Sequence, residues 1–343
     1  MPASRRNVVI LTAVLAVTIP IVAHAQTSPA TQLKNLPPGE NVLWSDPGDV
    51  ASLDFAYGPG GEQGAPVPPF QFVEEDLGGT NPKVKVTDAK GVHWSVKFGG
   101  ESKPSVFATR MAWACGYNVE TEYLIPHGQI AGVHGLKRAR GSIQGGAFTD
   151  ARFQLRSDDP KYLNEANWAW PSNPFLGTPQ LNGLKILAML LSNWDTKDAR
   201  DRDTASHDAS ADSNLGIFQA KGTDRPRYLF LITDWGETMG HWGANAGKRN
   251  KWNCKDYSQQ TPDFVKGVDH GIVRFGYSGK NNADIVQGIR VSDVQWLMQY
   301  LGRITDEQLR RGLAASAATP DEIECFLTAI RQRIGQLNRI AAQ

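Results

Sequence analysis

The sequence predicts an α+β chain, with an antiparallel β region first and a mainly helical region after it. Three observations predict this. Residues 70–98 hold alternating apolar runs separated by turn residues. Residues 178–191 begin with Thr178-Pro179 and are apolar on most sides, as in a buried helix. Near the C-terminus, Thr305-Asp306-Glu307-Gln308 forms a capping box, and Thr319-Pro320-Asp321-Glu322 opens a last helix running to about Ile340.

Taken in order, the chain opens with a secretory signal pattern over residues 1–25. Arg5-Arg6 precede an apolar run from Val8 to Ile19, and Ala23-His24-Ala25 offers small residues for cleavage. That run is too short to span a bilayer, and no later segment is apolar enough. The expectation is an exported protein, periplasmic or extracellular, with no membrane-spanning segment after cleavage. Cys115, Cys254 and Cys325 allow one disulfide there, with the pair left open. Residues 26–66 read as an extended arm with at most one short element near Val42–Trp44.

The meander follows, with Phe70–Val73, Lys83–Thr87 and Val92–Phe98 as strands and Asp88-Ala89-Lys90-Gly91 as a turn. Pro104–Cys115 has a helical period that Gly116 stops, and Tyr123–Ile125 and Gln129–Val133 read as two more strands. Residues 134–177 look loop-like, with a basic run Lys137-Arg138-Ala139-Arg140. The buried helix after Thr178 runs into Asn193-Trp194-Asp195. Residues 199–226 read as a polar loop, Tyr228–Thr233 as a buried strand ending in Asp234-Trp235-Gly236, and residues 237–290 as irregular. Ser292 is expected to cap a helix over Asp293–Arg303.

The 343 residues carry 36 basic and 35 acidic side chains, which argues against a non-specific nucleic-acid binder. No Gly-x-Ser-x-Gly occurs, and the histidines show no short-spaced zinc pattern. The Asp-rich run from Asp195 to Asp212 lacks the spacing of an EF-hand loop and reads as a solvated segment. Trp235, Trp242 and Trp252 are candidates for a cleft lining or for packing.

The order of elements carries more. Gly78, Gly79 and Thr80 sit in the turn between the first two strands, where backbone amides can approach phosphate oxygens. Lys97 closes the third strand and can neutralise α and β phosphates. Asp195, after a rigid helix, can position or deprotonate an attacking hydroxyl. Asp234, ending a buried strand, can hold a divalent ion. Each of these alone is commonly structural; their order is the signal.

In that order the chain resembles the protein-kinase-like superfamily, and more closely its atypical branches: HipA-type kinases, phosphatidylinositol 4-kinases and secretory-pathway kinases. The resemblance covers roughly residues 67–335 and rests on Lys97, Asp195 and Asp234-Trp235-Gly236-Glu237-Thr238-Met239-Gly240. It implies a two-lobed fold, with an N-lobe over 67–133 and a C-lobe over 134–343, and ATP bound between them with Mg²⁺ or Mn²⁺. It also implies that Lys97 is the phosphate-binding lysine, Asp195 the catalytic Asp and Asp234 the metal Asp. Gly78 and Gly79 match the phosphate loop loosely. The position five residues after Asp195, where these families place a second metal ligand, is Arg200, so Asp198 or Asp201 would substitute. The acidic partner of the lysine is either Glu101 or displaced by Arg110. The implied function is phosphoryl transfer from a nucleotide to an unidentified protein, sugar or lipid head group. The alternatives are an inactive kinase-like binding module, and an unrelated exported protein that binds glycan or metal.

Overall fold

The computed structural model describes residues 36–201, 213–222, 224–242 and 250–343. The signal pattern at 1–25 and most of the Asp-rich run lie outside the described residues. The fold is mixed α+β, as expected, and no helix among the described residues is long and apolar enough to cross a membrane.

The first half builds a closed five-stranded barrel in the order β2-β3-β4-β6-β5, from β2 (Phe70–Asp76), β3 (Lys83–Thr87), β4 (His93–Lys97), β5 (Glu122–Ala131) and β6 (Ala147–Leu155). The meander holds as read. Val84, Val86, Trp94 and Val96 point inward and are fully buried, while Lys83, Lys85 and Lys97 alternate with them on the other face. The β3–β4 turn is tied by Asp88, whose carboxylate accepts from the backbone N–H of Lys90 and Val92 and from the Trp94 indole.

Two expectations for this part are corrected. The two strands read over 123–133 are one, because β6 continues the ladder on both sides of Pro126. Residues 134–177 are not a loop throughout, since they contain β6 and β7 (Lys161–Asn167). Strand β6 alternates Ala151, Phe153 and Leu155 with Arg152 and Gln154, and the second face is buried too, under the start of a helix. The barrel closes only with β6, which ends at Leu155.

The second sheet has the order β1-β9-β8-β7, with β1 (Glu40–Val42), β8 (Leu215–Ala220) and β9 (Arg227–Ile232). Strand β8 corrects the loop expected over 199–226, and β1 docks the N-terminal arm parallel to β9. Helix α1 (Ser102–Ala114) connects β4 to β5 and packs on β5 and β6. It starts two residues before the expected Pro104, and Gly116 stops it as expected, with φ +87°. A Cβ at Gly116 would stand 2.3 Å from the Ser45 carbonyl oxygen, so glycine is needed there for space as well as conformation.

Helix α2 (Pro179–Leu190) is capped by Thr178 and buried on most sides. Around it gathers the larger core, which includes Phe107 and Met111 of α1, Trp168, Trp170 and Phe230. The barrel interior is a separate cluster around Phe70, Trp94 and Phe153. Residues 237–290, read as irregular, hold α3 (Cys254–Gln259), the hairpin β10 (Val265–Asp269) and β11 (Ile272–Phe275), and α4 (Asn282–Val286). Then come α5 (Val291–Leu301), α6 (Asp306–Ala315) and α7 (Pro320–Ala341), the last two opened by capping boxes at Thr305 and Thr319. Helix α5 starts before the expected Ser292 cap, with the Asp293 carboxylate accepting from the Arg290 backbone N–H. A disulfide joins Cys254 of α3 to Cys325 of α7, and Cys115 is a buried thiol.

Candidate functional site

A cleft of about 930 Å³ runs between the outer face of the barrel and the β7–β9 sheet. Lys97, Asp195 and Asp234 all line it, although 137 residues separate the first from the last. Each stands where a regular element ends. Lys97 closes β4, Asp195 follows α2, and Asp234 follows β9.

The lysine's partner is Glu101. Lys97 Nζ lies 2.6 Å from Glu101 Oε2 and 3.5 Å from Asp234 Oδ2. Glu101 is the N-cap residue of α1, where the exposed helix amides favour a negative charge. Arg110, the other candidate, is buried elsewhere and donates to the carbonyls of Val106 and Ala56. Burial pushes the Glu101 carboxyl up, but the Lys97 charge and hydrogen bonds from Glu237, Lys97 and Lys251 outweigh it and hold it well below the usual range. Asp234 is also lowered. Burial again acts upward and the Lys97 ammonium acts downward, aided by Arg152 and the Gly236 amide. The glycine of Asp234-Trp235-Gly236 has a steric reason. A Cβ at Gly236 would stand 2.7 Å from the Glu101 Cβ, so only glycine lets the start of α1 approach the end of β9.

Asp195 is held by a residue the sequence reading missed. Asn214 Nδ2 donates to the Asp195 carbonyl at 2.6 Å and to its Oδ2 at 3.1 Å. The Asn214 carbonyl accepts from the Thr233 N–H, which places it beside Asp234. Asn214 is 6% exposed and lines the cleft, and its Oδ1 accepts no hydrogen bond among the described residues. The signal for it was the apolar run starting at Leu215, which pairs with β9 in a hairpin. A fixed offset from Asp195 misses it because a long segment intervenes. Lys280 Nζ stands 3.1 Å from Asp195 Oδ1 without hydrogen-bond geometry, and Lys197 Nζ stands 3.7 Å from Oδ2.

Asp198 and Asp201 do not line the cleft. Asp198 is fully buried and accepts from the Trp170 amide and the Arg200 guanidinium. Asp201 accepts from the Asp198 N–H and from Asn281 Nδ2. Their oxygens staple the segment after Asp195 to its neighbours, and Arg200 continues the staple to Asp284. In the glycine turn, Gly79 and Thr80 line the cleft and Gly78 does not; the Gly78 amide donates to Asp76 Oδ1 at 2.9 Å. None of Trp235, Trp242 and Trp252 lines it. Trp235 is buried, Trp252 packs on Phe326, and Trp242 packs on Trp194.

The walls divide by chemistry. Phe218, Leu229 and Leu231 give the sheet side of the cleft an apolar lining. The rear is polar. Arg152 stands directly across the ladder from Lys97, and the Glu122 carboxylate at 3.0 Å compensates its charge. The Glu120 carboxyl, also in the cleft, is pushed up to about 7, mainly by burial.

Glu237 is a second missed residue. Lys251 Nζ bridges it, at 2.6 Å, to Glu101 at 2.9 Å. Burial, then the hydrogen bond with Glu101, pushes the Glu237 carboxyl up to about 8. A carboxyl raised on folding binds a proton that the unfolded chain releases. Its stabilising contribution is therefore complete below the ordinary value of 4.5 and is lost as pH rises toward 8. Glu120 acts with the same sign over a narrower window. We expect Glu237→Gln to flatten the fall in unfolding free energy between about pH 5 and pH 8. Denaturant unfolding across that range measures it, and an unchanged or steeper fall contradicts the assignment.

No family model matches the chain, and no curated protein matches it.

Proposed function

We propose that this chain is a two-lobed phosphotransferase of the protein-kinase-like superfamily, moving the terminal phosphoryl group of ATP to an acceptor hydroxyl. The observation that carries the reading is one ammonium, Lys97 Nζ, set between Glu101 and Asp234 in the cleft that also holds Asp195. In this reading the barrel is the N-lobe and the helical part with the second sheet is the C-lobe. The base occupies the part of the cleft lined by Phe218, Leu229 and Leu231 of the sheet. Lys97 meets the α and β phosphates, and Glu101 keeps the lysine aimed.

The donor set suits Mg²⁺ or Mn²⁺. No group of three or more His, Cys, Asp or Glu side chains among the described residues could hold a metal unaided. Magnesium in nucleotide sites is held by one or two protein oxygens together with phosphate oxygens, so it needs no such group. Asp234 and Asn214 Oδ1 would supply those oxygens, and a bound ion would offset charge developing on the phosphates. Asp195, oriented by Asn214, accepts the proton of the attacking hydroxyl. A bond forms between acceptor oxygen and γ-phosphorus. The bond from that phosphorus to the bridging oxygen breaks, its electron pair leaving on the nucleoside diphosphate. Lys197, beside Asp195, would face the group in transit.

Asn214 supports the active reading over an inactive kinase-like module, since its Oδ1 would supply a second metal-facing oxygen from outside the expected spacing. The Cys254–Cys325 disulfide supports the reading of export to an oxidising compartment.

The test is phosphoryl transfer by the full chain from γ-labelled ATP, with Mg²⁺ or Mn²⁺, across protein, saccharide and lipid-head-group acceptors. Metal-dependent labelling supports the proposal. Absence of both transfer and metal-dependent nucleotide binding overturns it. Nucleotide binding without transfer to any acceptor would favour the inactive module.

A further inference from the structure

The basic run Lys137-Arg138-Ala139-Arg140 has no part in the chemistry above, yet it meets the glycine turn from outside the cleft. We propose that Arg138 is a positioning residue that sets the peptide planes of the Gly79–Asn81 turn, so that two backbone N–H groups face the phosphates of the bound nucleotide. The proposal rests on the reading of the cleft as a nucleotide site.

Two anchors fix the segment between β5 and β6 that carries Arg138. Leu136, Ala139 and Ile143 are buried in the barrel core. The Glu75 carboxylate of β2 accepts three consecutive backbone amides, from Lys137 at 2.6 Å, Arg138 at 2.7 Å and Ala139 at 2.6 Å. Arg138 thus leaves a strap fastened at both the core and the strand that leads into the turn. Its guanidinium donates to the carbonyls of Leu77 at 2.6 Å and Gly78 at 3.3 Å, and to that of Thr80. The planar fork is suited to holding several acceptors in one arrangement.

The consequence follows from the trans peptide bond, in which C=O and the next N–H point opposite ways. With the Gly78 and Thr80 carbonyls turned to Arg138, the amides of Gly79 and Asn81 are turned away from it. Neither amide donates a hydrogen bond among the described residues, and both residues line the cleft while Arg138 does not. Gly79 has φ +65°, which a side chain would strain. Two unpartnered amides, one permissive glycine and a fixed outer grip make a nest for phosphate oxygens.

The experiment is calorimetric titration of the full chain with Mg·ATP and, separately, with adenosine, for wild type, Arg138→Ala and Glu75→Gln. Arg138→Ala is expected to weaken Mg·ATP by about 10- to 100-fold, the scale of a displaced positioning group. Adenosine, which lacks phosphates, should keep its affinity within about twofold. Glu75→Gln, which loosens the strap without touching the turn, should show the same selectivity to a smaller degree and guards against a misfolded first variant. Arg138→Lys should restore only part of the loss, since an ammonium cannot fork. Equal weakening of both ligands, or unchanged Mg·ATP binding in both variants, overturns the proposal and leaves the nucleotide site standing. A wild type that binds neither ligand overturns the cleft reading and this proposal together.

Discussion

Asp234→Asn is expected to lower phosphoryl transfer on the order of 10³-fold, the loss of several kcal/mol of charge stabilisation, and to leave the fold intact. The asparagine oxygen can still accept the Gly236 amide that now donates to Asp234 Oδ1 at 2.8 Å. Lys97 keeps Glu101 at 2.6 Å, so no ammonium is left unpaired. On the proposed reading, what disappears is the anionic oxygen that would hold the metal. Nucleotide added with Mg²⁺ should raise the unfolding midpoint of wild type and do so little for the variant, while the two proteins without ligand unfold at similar temperatures. Full metal-dependent stabilisation in the variant would remove Asp234 from the metal site.

Asp195→Asn should behave differently, and the contrast separates the two roles. A general base removed from a phosphoryl transfer costs about 10²- to 10⁴-fold in kcat. On the proposed reading Asp195 serves the acceptor and not the nucleotide, so the KM for ATP should stay within a few-fold of wild type. The carboxylate now stands among Lys197, Lys280 and Asn214, and Asn214 can still bond the backbone carbonyl of residue 195. Steady-state kinetics with varied ATP decides the matter. A rise in KM with kcat unchanged would make Asp195 a nucleotide-binding residue rather than the one serving the acceptor.

The candidate site was partly legible, and the reason differs from residue to residue. Lys97, Asp195 and Asp234 could be found because each stands at the end of an element with a strong local signature: an alternating strand, a buried helix and an apolar strand. Glu101 was visible but not assignable. Its pairing with Lys97 depends on where α1 starts, and that start comes two residues before the proline that suggested it. Asn214 and Glu237 were missed. Asn214 is joined to Asp234 by the β8–β9 hairpin, while counting from Asp195 led to Asp198 and Asp201, whose oxygens are engaged elsewhere. Arg138 was noticed only as charge, because its partners are backbone carbonyls of the turn before β3, which carry no sequence signature.

The sequence by itself determined what depends on neighbours along the chain. The β2–β4 meander, the capped and buried α2, the two capping boxes and the strand ending at Asp234 all follow from periodicity, caps and turn chemistry. Tertiary structure decided the rest. It closed the barrel through β6, which pairs with β4 on one side and β5 on the other. It docked the N-terminal arm as β1 and chose Cys325 as the partner of Cys254. It also brought Lys97 within 3.5 Å of Asp234. Contacts between elements depend on how buried surfaces meet and on which charges must be compensated once buried, and neither is written in the spacing of residues along one strand or helix.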